Sequence, residues 1–153
     1  MVTWSECAAD FAGDGSLRDI YVLEGGGASW DAVLRIARQF DAKFFIEGEA
    51  RPLPDRSREV FAQYDAGAAL LSIDWKGIDL AAHFFDENQV ELDFIPNVLT
   101  GQPDLDQLCS FLRTLAAATG REVIVTPENL PQSPILRVTP TGEVRYEPPS
   151  DAA

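Results

Sequence analysis

Among 153 residues there are one histidine, two cysteines and one methionine, and only 12 Lys and Arg stand against 25 Asp and Glu. Each scarcity excludes something. Cys7 and Cys109 lie far apart, each beside apolar neighbours, so a disulfide framework is not expected, and two lone thiols read as buried, inert side chains in a reducing cytosol. A net charge of −13 repels a phosphate backbone, which removes nucleic acid from the expected partners. No apolar run approaches the length of a membrane span. The start, Met1-Val2-Thr3-Trp4-Ser5-Glu6, lacks the basic and apolar regions of a secretory signal, so a cytoplasmic protein with no membrane partner is expected. With 11 Gly and 10 Pro the chain is neither collagenous nor of low complexity.

What remains is a globular composition, 46% hydrophobic and 24% charged. A chain of this size buries roughly 70% of the surface that its unfolded form exposes, so it needs no metal, disulfide or cofactor to fold. One domain over residues 1–147 is expected, followed by a loose tail over 148–153. Thr3 and Glu6 form a capping box ahead of a short helix that Gly13-Asp14-Gly15 stops. Leu17 to Glu24 reads as a strand, and a helix from Ser29 buries Trp30, Val33, Leu34, Ala37 and Phe40. Lys43 to Gly48 reads as a strand, and Asp55 as the cap of a helix running through Tyr64. Asp104 is expected to cap a helix with the stripe Leu105, Leu108, Cys109, Leu112, Leu115 and Ala116, which Gly120 ends. Glu122 to Thr126 is a short strand, and Ile135 to Val138 with Glu143 to Tyr146 form a last hairpin.

The middle of the chain is the most readable. Ala69, Leu71, Ile73 and Trp75 alternate with more polar residues, as do Ile78, Leu80, Ala82 and Phe84, and then Val90, Leu92 and Phe94. A turn at Lys76-Gly77 sets Trp75 opposite Ile78 and Leu71 opposite Ala82. A three-residue loop Asp86-Glu87-Asn88, with Asn88 left-handed, sets Phe84 opposite Val90 and Ala82 opposite Leu92. The fold class is therefore α+β: a mixed, largely antiparallel sheet with a central three-stranded meander and helices packed mainly on one face.

That meander decides where charge goes. With its apolar side turned to the helices, its other face carries Leu70, Ser72, Asp74, Asp79, Ala81, His83, Phe85, Gln89, Glu91, Asp93 and Ile95. From Glu59 through Leu112 there are ten acidic residues and one base, Lys76, whereas the other 99 residues hold 15 acids and 11 bases. A solvated strand face does not require that concentration, and the apolar Phe85, Ile95 and Leu70 among the acids resemble a binding patch. Asp74, Asp79, His83, Phe85, Glu91 and Asp93 are the candidate partner-binding residues. His83, expected across from Glu91 and diagonal to Asp93, should favour its protonated form.

The same residues could serve two other chemistries. A small enzyme or ligand-binding protein would use His83 as a base oriented by a carboxylate, with Ser72 as nucleophile, but no G-x-S-x-G elbow accompanies them. The carboxylates flank His83 without the spacing of a metal motif, so no metal is expected. Gly25-Gly26-Gly27 before a helix lacks the spacing and the lysine of a phosphate loop and reads as a flexible turn. Thr126-Pro127-Glu128-Asn129 likewise reads as a turn.

Three stretches, Asp14-Gly15-Ser16-Leu17-Arg18-Asp19-Ile20-Tyr21-Val22-Leu23, His83-Phe84-Phe85 with the acidic strand after it, and Thr126-Pro127-Glu128-Asn129, resemble a family of small acidic bacterial proteins similar to the immunity proteins of polymorphic toxin systems. The resemblance implies a non-enzymatic inhibitor that binds a toxin domain tightly in the cytoplasm of the producing cell. An acidic face with aromatic anchors suits such a role, because a cationic partner would be steered onto it.

Overall fold

The computed structural model describes residues 2–148. The tail expected from Pro148 onward lies, past Pro148 itself, outside the described residues. The elements in order are α1 (Trp4–Cys7), a 3₁₀ turn (Ala8–Phe11), β1 (Arg18–Val22), α2 (Gly27–Arg38), β2 (Asp41–Ile46), β3 (Glu49–Arg51), α3 (Ser57–Gln63), β4 (Ala69–Trp75), β5 (Ile78–His83), β6 (Val90–Phe94), a 3₁₀ turn (Pro96–Val98), α4 (Gln102–Thr119), β7 (Val123–Pro127), β8 (Leu136–Val138) and β9 (Val144–Tyr146). The fold is α+β. Nine strands make one sheet in the order β3-β2-β4-β5-β6-β1-β7-β8-β9. All its pairings are antiparallel, so among the described residues the sheet has no parallel component.

Alternation drives the layering. In β4 the odd residues Ala69, Leu71, Ile73 and Trp75 are buried and the even ones are not, and β5 and β6 repeat the pattern with Ile78, Leu80, Ala82 and with Val90, Leu92, Phe94. The meander register is as the sequence predicts: Trp75 pairs with Ile78, Ile73 with Leu80, Leu71 with Ala82, and Ala82 with Leu92. Aromatics from successive helical segments meet this apolar face. Phe11 lies 6.3 Å from Phe94, Trp30 of α2 stacks at 4.3 Å on Phe84, Phe61 of α3 lies 5.6 Å from the same ring, and Phe111 of α4 meets Trp75 edge-on at 5.2 Å. The expected α4 stripe is buried throughout, and Gly120 ends the helix in the left-handed region at φ 66°.

Several local expectations are corrected. The strand read from Lys43 begins at Asp41 and is followed by β3, because Glu47 (φ 49°) and Gly48 (φ 82°) form a tight hairpin turn like Lys76 (φ 51°) and Gly77 (φ 94°). Asp55 does not cap α3. Asp31 of α2 does so from a distance, its Oδ1 accepting the Ser57 N–H at 2.8 Å. Asp104 lies inside the first turn of α4 and reaches back to accept from Thr100 N–H (2.9 Å) and Oγ1 (2.8 Å). Helix α2 starts at Gly27, and the Glu87 carboxylate stands near it, 3.6 Å from where a Cβ would be.

The β5–β6 connection also differs. Asp86 bridges to Gln89 around the two-residue turn Glu87-Asn88, and Asn88 stays out of the left-handed region. One residue too many would then put the β5 side chains on the wrong faces. A bulge at Phe84-Phe85 absorbs it: Phe85 N–H folds back to donate to the His83 carbonyl (2.9 Å), Phe84 turns into the core, and Phe85 turns out.

Candidate functional site

The site is the sheet face opposite the helices, built where β4, β5, β6 and β1 lie side by side. Pairing of Ala81 with Asp93 and of Asp93 with Asp19 sets the last two carboxylates in one row across three strands. His83 bonds the diagonal acid: its Nε2 lies 2.7 Å from Asp93 Oδ2. Glu91, expected across from it, instead accepts from the Tyr21 hydroxyl at 3.1 Å, and that hydroxyl also lies 3.2 Å from Asp19 Oδ2. Asp19 is only 3% exposed and takes a further donor, the Asn129 N–H at 2.8 Å.

The electrostatics follow from this crowding. The Asp93 hydrogen bond raises the His83 pKa above its ordinary value, and burial of the ring opposes it. Burial raises the Glu91 carboxyl, and the Tyr21 hydroxyl works against that. Asp19 is likewise raised by burial, with the Asn129 N–H opposing. Tyr21 is pushed up by burial and by both neighbouring acids.

A second group lies toward the β4–β5 turn. Asp41, Asp74 and Asp79 form one cross-strand row, each exposed. Directly opposed like charges cost stability, and local donors offset part of that cost: Gly77 N–H bonds Asp74 (2.9 Å) and Ser72 Oγ donates to Asp79 (2.7 Å). Lys43, opposite Ser72, is the base beside this row. Ser72 thus pairs with Ala81 and serves Asp79, and the nucleophile–histidine contact of a hydrolase is not made. Among the described residues no group of His, Cys, Asp and Glu has the arrangement to hold a metal ion.

Phe85 joins the acids to an apolar anchor. It is 52% exposed, yet its ring is held: it stacks on His83 with centroids 5.2 Å apart and planes 10° from parallel, and Gly67 leaves it room, since a Cβ there would sit 3.0 Å from the ring. Ile95, 56% exposed, follows β6 at the end nearer Asp79.

The six residues singled out from sequence thus share one face in two groups, Asp74 and Asp79 at one end and His83, Phe85, Glu91 and Asp93 in the middle. Asp19, Tyr21, Asn129 and Asp41 were missed. Their place depends on β1 docking between β6 and β7 and on β2 docking on β4, which no local pattern announces. The face is also less open than a bare sheet. Over β1 and β7 it is roofed, with Asp19, Tyr21, Ile124 and Thr126 all buried.

The stretches that carry the resemblance meet here. Asp14 to Arg18 forms an arch in which buried Arg18 donates to the carbonyls of Asp10 (2.8 Å) and Ala12 (3.3 Å), and Glu128 accepts the Leu17 N–H at 2.6 Å. Compared with models of protein families, with curated proteins and with solved structures, the chain matches none.

Proposed function

We propose that the chain is a non-enzymatic inhibitor that binds a basic protein domain, a toxin in the manner of the immunity proteins it resembles, with the open part of its acidic sheet face. The observation that carries the reading is Phe85: a bulge, a glycine and a stacked imidazole hold a large apolar ring outward among carboxylates. Solvation alone gives no reason for that construction, whereas rigid aromatic anchors ringed by polar groups are where binding energy concentrates in interfaces. Asp74 and Asp79 are exposed and would meet Lys or Arg of the partner, and Ile95 extends the apolar contact. Glu91 and Asp93 are engaged with Tyr21 and His83, so they contribute field and shape more than free carboxylates. Such binding would take place in the cytoplasm of the producing cell.

Cell survival tests this. The product of the reading frame beside this gene is expressed with the chain or with Phe85→Ala/Asp79→Lys. Protection by the native chain and loss of protection by the folded double variant are expected. No protection by the native chain would refute inhibition, and full protection by the double variant would refute this face.

A further inference from the structure

We propose that engagement of this face by a cationic partner is coupled to release of the proton from His83, so that the face binds in a pH-gated way; the proposal rests on the reading that the face takes a basic protein. The groups that face the ring are Asp93 and Glu91 from β6, Asp19 and the Tyr21 hydroxyl from β1, Leu70 from β4, which pairs with His83, and Phe85 from the bend. None of these is a Lys or Arg. The imidazolium is therefore the counter-charge that the fold itself supplies to Asp93, Glu91 and Asp19.

A guanidinium or ammonium arriving beside Phe85 and Glu91 takes over that role, and two cations then crowd the same carboxylates. The ring lies flat against Phe85, so a partner that packs on Phe85 comes close to it. Binding and protonation thus oppose each other, and linkage makes the opposition reciprocal: the partner lowers the affinity of His83 for its proton, and the proton lowers the affinity of the face for the partner. The raised proton affinity of His83 in the free chain places the exchange above its ordinary 6.5. With one proton exchanged, affinity falls at most about tenfold per pH unit below the free-state midpoint.

The single histidine makes the test direct, because the chain has one imidazole resonance. Its NMR titration is recorded between about pH 5 and about pH 9, alone and with saturating hexa-arginine at low ionic strength. The midpoint is expected to fall by about half a unit or more when the peptide is bound. Peptide affinity should weaken toward acid in the native chain, and His83→Gln, which keeps a donor for Asp93, should flatten that profile. If the peptide shifts the amides of Phe85, Glu91 and Asp79 but leaves the midpoint in place, the coupling is wrong and the binding face stands. If it shifts none of them at about pH 9, where His83 is least protonated, face and coupling fall together.

Discussion

Asp19 is the residue on which the middle of the site depends most. One nearly buried oxygen, Oδ2, takes both the Tyr21 hydroxyl and the Asn129 N–H, and so ties β1 to the loop after β7. Asp19→Ala strands two donors and is expected to cost about 1–3 kcal/mol in denaturant unfolding. Asp19→Asn keeps an acceptor and removes a charge that burial disfavours, so it is expected to cost under about 1 kcal/mol; equal losses in the two variants would contradict this account. The pH dependence belongs to the same residues. His83 holds its proton more tightly folded than unfolded, so its stabilisation is complete below its ordinary 6.5 and is lost as pH rises through the folded value. Glu91 and Asp19 have the same sign: their stabilisation is complete below 4.5 and 3.8 and is lost above. Glu6 and Asp14, both exposed, and half-buried Asp104, all held low by hydrogen bonds, act oppositely as pH falls. Unfolding free energy should therefore decline as pH rises above 6.5 through the folded His83 midpoint, and His83→Gln should remove most of that decline. A stability that rises over this range would count against the His83–Asp93 pair.

At the scale of elements, turn chemistry was the most informative local signal. Lys76-Gly77 identifies the β4–β5 hairpin with its register, and Glu47-Gly48 repeats the same left-handed pair, so β3 is legible in that turn although the Lys43 to Gly48 strand reading ends there. Gly77 sits at φ 94° with open space around a would-be Cβ, so Gly77→Ala suffers from backbone strain alone and is expected to cost about 1 kcal/mol or more in chemical unfolding. No loss would mean that the turn relaxes. The β5–β6 connection was less legible, because alternation fixes which residues face the core but not how an extra residue is absorbed. A longer turn and a bulge satisfy the same pattern and put Phe85 on the same face as His83, so alternation alone cannot choose between them, and the structure uses the bulge. The caps show a similar limit. Asp55 was the right residue type in the right place, yet Asp31 supplies the oxygen from another helix.

Over the whole molecule, the layers follow from periodicity, whereas the strand order does not. Placing β1 between β6 and β7 gathers Asp19, Tyr21, Glu91, Asp93, His83 and Asn129 from distant stretches of chain, and six residues read from the meander alone were the part of the site that its own strands could reveal. The net charge of −13 acts at this scale too, because under the proposed function it would draw a cationic domain toward the molecule while Phe85 would determine where it docks. The most direct test is the dissociation constant between the chain and the product of the neighbouring reading frame, measured for the native chain and for Phe85→Ala/Asp79→Lys at the same salt concentration. Loss of a central aromatic anchor together with reversal of an exposed charge is expected to weaken binding by about 100-fold, with the melting temperature of the free chain little changed. An unchanged dissociation constant would contradict the assignment of this face.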